Sequence, residues 1–114
     1  MSIRRVVPNL TTEDTVAAKA FYGDFLGFDI AMDEPGFVTA VSPDVQAAQI
    51  NAGTERGVRE LDVSIGVDNV DELYAQAQAR GVEIVYPLTE EPWGVRRFFV
   101  RAPGGQLINV VQHT

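Results

Sequence analysis

Trp93, the only tryptophan of the chain, follows Glu90, Glu91 and Pro92 in a polar stretch. A loop aromatic beside a cleft is a stacking platform for a flat ligand, and equally an apolar plug at a subunit interface. Asp62 and Asn109 are polar residues on otherwise apolar, strand-like stretches. On a sheet face that no helix covers they would anchor a ligand; on an open face they would simply be solvated. Arg96 and Arg97 are adjacent on a strand, so they point to opposite faces and only one can enter such a cleft. There it would pair with Asp62 or with a ligand carboxylate; outside, it makes a surface ion pair. Asp62 becomes a general base only where burial raises its pKa toward neutrality.

Other chemistries are excluded by what the chain lacks. It has no cysteine, which removes disulfides, thiolate metal sites and cysteine nucleophiles. Its single histidine, His113, is one residue from the end and reads as a frayed surface side chain, so no hydrolytic triad assembles. Gly104 and Gly105 read as a hairpin turn rather than a phosphate cradle, because no helix start follows them. Nine basic against sixteen acidic residues give a formal charge of -7. That charge argues against nucleic acid and anionic membranes as partners, and it would raise the local concentration of a cationic small molecule. Nothing approaches the length of an apolar membrane span, and a cytoplasmic protein is expected.

The elements that must position these residues come in a repeated order. With 114 residues, 46% hydrophobic and 22% charged, the chain suits one globular domain, 1–114. Residues 3–10 read as a strand, and Thr11 with Asp14 as a capping-box-like helix entry. Ala17, Ala18, Phe21, Tyr22 and Phe25 follow at helical spacing; with Phe28 the aromatics form a core stripe packing helix on sheet, and Gly27 ends the helix. Residues 28–33, 37–41 and 45–51 are three short strands. The second half repeats the pattern: a strand over 61–67, a helix from Val70 closed by Gly81, then strands over 82–86, 95–101 and 106–112, with a polar 87–94 segment between the first two. A stretch over 53–60 with no apolar period separates module 1 (about 1–52) from module 2 (about 61–114). The expected architecture is α+β: two βαβββ modules whose curved mixed sheets surround an open cleft.

Phe21-Tyr22 with Leu26-Gly27-Phe28, the run from Val67 to Tyr74, Pro92-Trp93-Gly94-Val95-Arg96, and Pro103-Gly104-Gly105 together resemble the vicinal oxygen chelate superfamily. This superfamily contains glyoxalase I, extradiol dioxygenases, fosfomycin-resistance transferases and bleomycin-resistance proteins. The resemblance covers nearly the whole chain and implies paired βαβββ modules, assembled as a homodimer whose clefts draw on both chains. It also implies positions for a divalent metal on the first, fourth, fifth and eighth strands: at or next to Val7, at Ala48 or Gln49, on Asp62, and on Asn109. Val7 cannot ligate, Gln49 and Asn109 are weak neutral donors, and Asp62 is the one anion, whereas a stable site needs about three good donors.

The chain resembles the metal-free, bleomycin-resistance-like branch better, through Pro92-Trp93-Gly94-Val95-Arg96, Phe98 and Arg101 ahead of a Pro-x-Gly turn. In that branch a tryptophan before the seventh strand and a phenylalanine near the third sandwich a planar group, which implies Trp93 and Phe37 here, with Arg96 as the arginine entering the cleft. One departure is Ala102, where the family usually carries aspartate before the Pro-x-Gly turn. The expected function is binding of a small planar or cationic molecule in a dimeric, metal-free cleft, as antibiotic sequestration requires, through Phe37, Asp62, Trp93, Arg96 and Asn109. The alternative is an enzyme of the superfamily, a lyase, isomerase or dioxygenase, dependent on a divalent metal or using Asp62 as general base. A third reading is a vestigial cleft in a domain that only dimerises.

Overall fold

The computed structural model describes residues 3–45, 48–53 and 61–114. Most of the separating stretch, 54–60, thus lies outside the described residues; its first residue, Gly53, closes a strand. The order is β1 (Ile3–Thr11), a helix α1 that begins as Thr15–Lys19 and widens to π-helical turns over Ala20–Phe25, β2 (Asp29–Glu34), β3 (Phe37–Val41) and β4 (Gln49–Gly53). The second half gives β5 (Val63–Val67), α2 (Val70–Arg80), β6 (Ile84–Glu91), β7 (Val95–Arg101) and β8 (Leu107–His113). Each half is a βαβββ module, as the sequence leads one to expect.

The eight strands join in one mixed, curved and unclosed sheet, ordered β2-β3-β4-β1-β5-β8-β7-β6. The modules meet where β1 runs antiparallel to β5, with Val7 opposite Ser64. On either side of this seam a parallel pair follows: β1 with β4, where Asn9 faces Asn51, and β5 with β8, where Ser64 faces Asn109. The middle of the sheet is thus built from four strands whose side chains alternate between the helix-packed face and a common concave face.

Packing is strongest in the second module. Val67, Val70, Ala77 and Phe98 form a buried cluster, with Val70 at 0% and Phe98 at 2% exposure, and Tyr74 of α2 meets Phe98 edge-on at 5.1 Å. The helix closes as expected at Gly81, whose positive φ of 69° gives the left-handed cap that a glycine adopts without penalty.

The first module departs from expectation at its helix. Asp14, not Thr11, is the cap: its Oδ1 accepts the Ala17 N–H at 2.9 Å, while Thr11 stays in β1. The aromatic stripe is not a core. Phe21 and Phe25 are 51% and 72% exposed and pack on each other at 5.4 Å, and Leu26 is exposed beside them. The π-helical turns, seen in the Leu26 N–H reaching the Phe21 carbonyl, change the period on which the stripe was counted, so Tyr22 and Phe28 turn toward each other while Phe21 and Phe25 turn outward. β6 also runs further than its apolar pattern suggests. It continues through Pro87 to Glu91 because the ladder tolerates irregularities between Ile84 and Tyr86 and between Tyr86 and Thr89, where the proline has no N–H to donate.

Candidate functional site

The concave face holds a cleft of about 450 Å³, lined from β1, β2, β3, β4, β5, β7 and β8 and from the Trp93 turn. One chain therefore supplies both walls. Its size is that of a small-molecule site.

The floor is a continuous chain of neutral hydrogen-bonding side chains. Thr39 Oγ1 donates to Asn51 Oδ1 at 2.9 Å, Asn51 Nδ2 to Asn9 Oδ1 at 2.9 Å, and Asn9 Nδ2 to Ser64 Oγ at 3.0 Å. Asn109 Nδ2 donates to the same Ser64 oxygen at 3.1 Å. Five strands are stitched by five residues, each held in orientation by the next. The chain ends on an open valence: Asn109 is only 6% exposed, and its Oδ1 has no partner. Turning the amide over would exchange the orphan acceptor for an orphan donor, so one half of Asn109 is unsatisfied either way.

Above the floor on one side is a box of rings and charge. Tyr86 and Phe99 stack at 4.6 Å, and the Arg97 guanidinium lies 4.8 Å from the Phe99 ring, 5.2 Å from Trp93 and 5.7 Å from Tyr86. Arg97 Nε and the Tyr86 hydroxyl both donate to one oxygen of the buried Glu91, at 2.8 and 2.9 Å. This holds the Arg97 guanidinium within cation–π distance of Trp93. Across the cleft, Arg5 lies along β1 over Gly66, close enough that a Cβ there would sit 2.8 Å from Arg5 Cγ, and Arg5 Nη1 donates to Gln49 Oε1 at 3.2 Å. Its guanidinium has no carboxylate partner among the described residues. His113 stands at the rim, its pKa held below the usual 6.5 by burial and then by the Arg5 charge. It is a lining residue and not a frayed end.

The sequence candidates divide. Phe37, Trp93 and Asn109 line the cleft, and the two rings expected to sandwich a flat group come from opposite modules of a single chain. Arg96 does not enter. It lies on the helix-packed face, where Nε and Nη2 donate to Asp71 Oδ1 of α2 at 2.9 and 2.7 Å, and that hydrogen bond raises its pKa above the usual value. Arg97 is the arginine of the cleft. The reason is visible in the segment Val95-Arg96-Arg97-Phe98-Phe99-Val100: both alternating sets contain one arginine and two apolar residues, so composition cannot tell inside from outside. Asp62 is also outside. It is exposed, precedes β5, and its Oδ2 accepts the Leu107 N–H at 2.8 Å while its own N–H donates to the Leu107 carbonyl. It ties β5 to β8, and the fifth-strand position that faces the cleft is Ser64, two residues on.

The superfamily resemblance implies positions at Val7, Ala48 or Gln49, Asp62 and Asn109; with Ser64 facing the cleft in place of Asp62, a divalent metal would meet Val7, Gln49, Ser64 and Asn109. One side chain is apolar, one is a serine hydroxyl that accepts hydrogen bonds from two amides, and the other two are amides already hydrogen-bonded to neighbours. Neutral amides and a hydroxyl do not make a transition-metal site, so these residues do not fit the ion. Among the described residues no group of three or more His, Cys, Asp or Glu comes together elsewhere. Arg5, Asn9, Thr39, Asn51 and Ser64 were not anticipated from sequence. The alternation of Arg5, Val7 and Asn9 along β1 was the available signal. The charge lining the cleft is cationic, opposite to the sign of the whole chain. Among the described residues no helix is long and apolar enough to cross a membrane.

A family model described as the Glyoxalase/Bleomycin resistance protein/Dioxygenase superfamily matches residues 3–110. Among solved structures, the chain is similar to a glyoxalase/bleomycin resistance protein/dioxygenase superfamily member from Vibrio splendidus 12B01, with a TM-score of 0.74 and 23% identity over 95% of this chain and 97% of that one. It is also similar to Streptomyces coelicolor methylmalonyl-CoA epimerase, with a TM-score of 0.73 and 21% identity over 99% of each chain. A Mn(II)-bound glyoxalase from Novosphingobium aromaticivorans gives a TM-score of 0.69 and 23% identity, covering 96% of this chain and 38% of that one. At these identities the likeness is one of fold. None of the curated proteins matches the chain.

Proposed function

Since the chain belongs to the glyoxalase/bleomycin resistance protein/dioxygenase superfamily, we propose that it is a metal-independent binding protein that holds a planar small molecule in its cleft, as sequestration requires, rather than a member that turns a substrate over on a metal. The observation that carries this reading is the hydrogen-bonded floor from Thr39 to Asn109, which puts amides and a hydroxyl where a metal would need ionic donors. Trp93 and Phe37 on the walls supply flat apolar area, and Arg97 supports Trp93 from beneath. Among the described residues the lining contains no Asp, Glu, Lys, Tyr or Cys, which leaves His113 as their candidate for acid–base chemistry on a bound molecule. We also take the protein to be a homodimer, a reading supported by the exposed Phe21, Phe25 and Leu26 on α1.

The test is calorimetric titration, in the presence of a chelator, with a neutral planar probe such as 6-hydroxy-2-naphthamide, and in parallel with bleomycin. The expected result is one probe molecule per cleft, with Trp93→Ala weakening it by about fivefold, the size of one aromatic contact. Binding heat that appears only after a divalent metal is added, or chemical conversion of the probe, would overturn the proposal.

A further inference from the structure

The acidic surplus of this chain stops at the mouth of the cleft. Among the described residues, the charged side chains that line it are Arg5 and Arg97, with His113 between them at the rim. Arg97 is neutralised by Glu91 at 2.8 Å and clamped among three rings. Arg5 is different. Its one side-chain hydrogen bond goes to the neutral carbonyl of Gln49, and among the described residues no carboxylate lies within ion-pair distance of it. A half-buried side chain without a counter-charge among the described residues, in a protein of net charge -7 where Arg4, Arg96 and Arg101 each pair with an acid, is a cation held back from pairing. Gly66 makes this arrangement possible: with no Cβ, it lets the Arg5 stem lie across β5 instead of standing up into solvent.

A second unmet group lies in the floor of the same cleft. Asn109 Oδ1 is buried without a donor on the floor. Ser64 and Gly66 are two residues apart on β5, and Asn109 is the partner of Ser64 on β8. One strand step across and two residues along separate the Gly66 and Asn109 backbones by about 8 Å, from the usual sheet spacings. That is the length of a flat two-ring molecule with a substituent at each end, and Trp93 and Phe37 lie on the walls beside it.

We propose that the ligand of this cleft is a planar carboxylate, whose anionic end is bound by the Arg5 guanidinium and whose far end carries a hydroxyl or N–H opposite Asn109. This rests on the reading of the cleft as a metal-independent binding site and narrows it to one chemical class. It replaces the cationic ligand that net charge suggested, because a ligand at contact distance meets the local guanidinium, whereas the distant surface charges are screened over roughly 8 Å at physiological salt. Paired with a carboxylate, Arg5 would make the bidentate contact its fork geometry favours.

Calorimetry with three probes tests it: 6-hydroxy-2-naphthoate, its neutral amide 6-hydroxy-2-naphthamide, and 2-naphthoate, which lacks the hydroxyl. The acid is expected to bind about ten- to a hundredfold more tightly than the amide, the range for a hydrogen bond to a charged group. Arg5→Gln should erase that preference, bringing the acid and the amide to the same affinity, and Arg5→Lys should keep a part of it. Removing the hydroxyl should weaken the acid in the native protein but not in Asn109→Leu. Circular dichroism and an unchanged thermal midpoint certify that Arg5→Gln is folded. If the amide binds and the acid binds no better, the anion anchor is wrong while the binding function stands. If neither binds, the binding function falls and the anchor with it.

Discussion

Arg5 and His113 form the one pair of cleft residues whose charges oppose each other. Burial and Arg5 both disfavour the imidazolium, so the folded chain takes up fewer protons than the unfolded chain as pH falls through the usual histidine value of 6.5. Stability contributed by neutral His113 is therefore present above 6.5, declines below it, and levels off once the pH lies under the depressed folded pKa. Arg5→Gln removes the charge but not the burial. It should move the His113 midpoint upward toward 6.5 without passing it, which an NMR titration of the single histidine reads directly; an unchanged midpoint would show that Arg5 does not face the ring. A carboxylate bound at Arg5 should move the midpoint the same way. Glu91 is the other residue with a sharp expectation. It accepts from both Arg97 and Tyr86 while 9% exposed, so Glu91→Ala leaves a guanidinium and a phenol hydroxyl without their acceptor. The expected cost is about 3 kcal/mol in urea unfolding, at the lower end for breaking a buried pair because Arg97 keeps some access to water. A loss below 0.5 kcal/mol, to order of magnitude, would mean that water replaces Glu91 without difficulty.

Two aromatic residues on two elements separate core from surface. Phe98 on β7 is 2% exposed under α2, and Phe98→Ala should cost about 3–5 kcal/mol. Phe25 on α1 is 72% exposed, and Phe25→Ser should leave the unfolding free energy of an isolated chain within about 0.5 kcal/mol. If the α1 face is covered by a second copy, the same substitution should shift sedimentation velocity from dimer to monomer. A native protein that sediments as a monomer at all concentrations would end the homodimer reading. The sequence makes α2, β3 and β7 legible because their apolar periods agree with their end signals: Gly81 after Arg80, the Pro35-Gly36 turn before Phe37, and Gly94 before Val95. It hides the facing of β7, since each face of that strand carries an arginine and two apolar side chains. It hides the outward turn of Phe21 and Phe25, because a helical count at 3.6 residues per turn has no place for a π-helical segment. Asp62 misled for a related reason: a lone anion on a strand suggests a ligand, and nothing local tells that its oxygen is already held by the Leu107 amide across the sheet.

At the scale of the molecule, sheet curvature makes a site from positions that no sequence spacing brings together. Val7, Ser64 and Asn109 are consecutive neighbours across β1, β5 and β8, and the chemistry of the cleft follows from which side chains that row presents. With valine, serine and asparagine the row offers no ionic donor, so saturating Zn²⁺ or Mn²⁺ should leave the thermal midpoint of the native protein unchanged within about 1 °C, since a ligand stabilises only in proportion to its affinity for the folded state. Replacing the row by ionic and imidazole donors, in the triple variant Val7→His, Ser64→His and Asn109→Glu, should reverse this. At a metal concentration a hundredfold above its dissociation constant the stabilisation would be about 2.7 kcal/mol, several degrees in a chain of this size. Differential scanning calorimetry of both proteins, with and without metal, separates the possibilities. A response of the variant alone would show that the scaffold still has metal-site geometry and that three side chains withhold it. A saturable rise of several degrees in the native protein at one metal per chain would instead mean that the amide floor rearranges around a cation, and the metal-independent reading of the cleft would have to be abandoned.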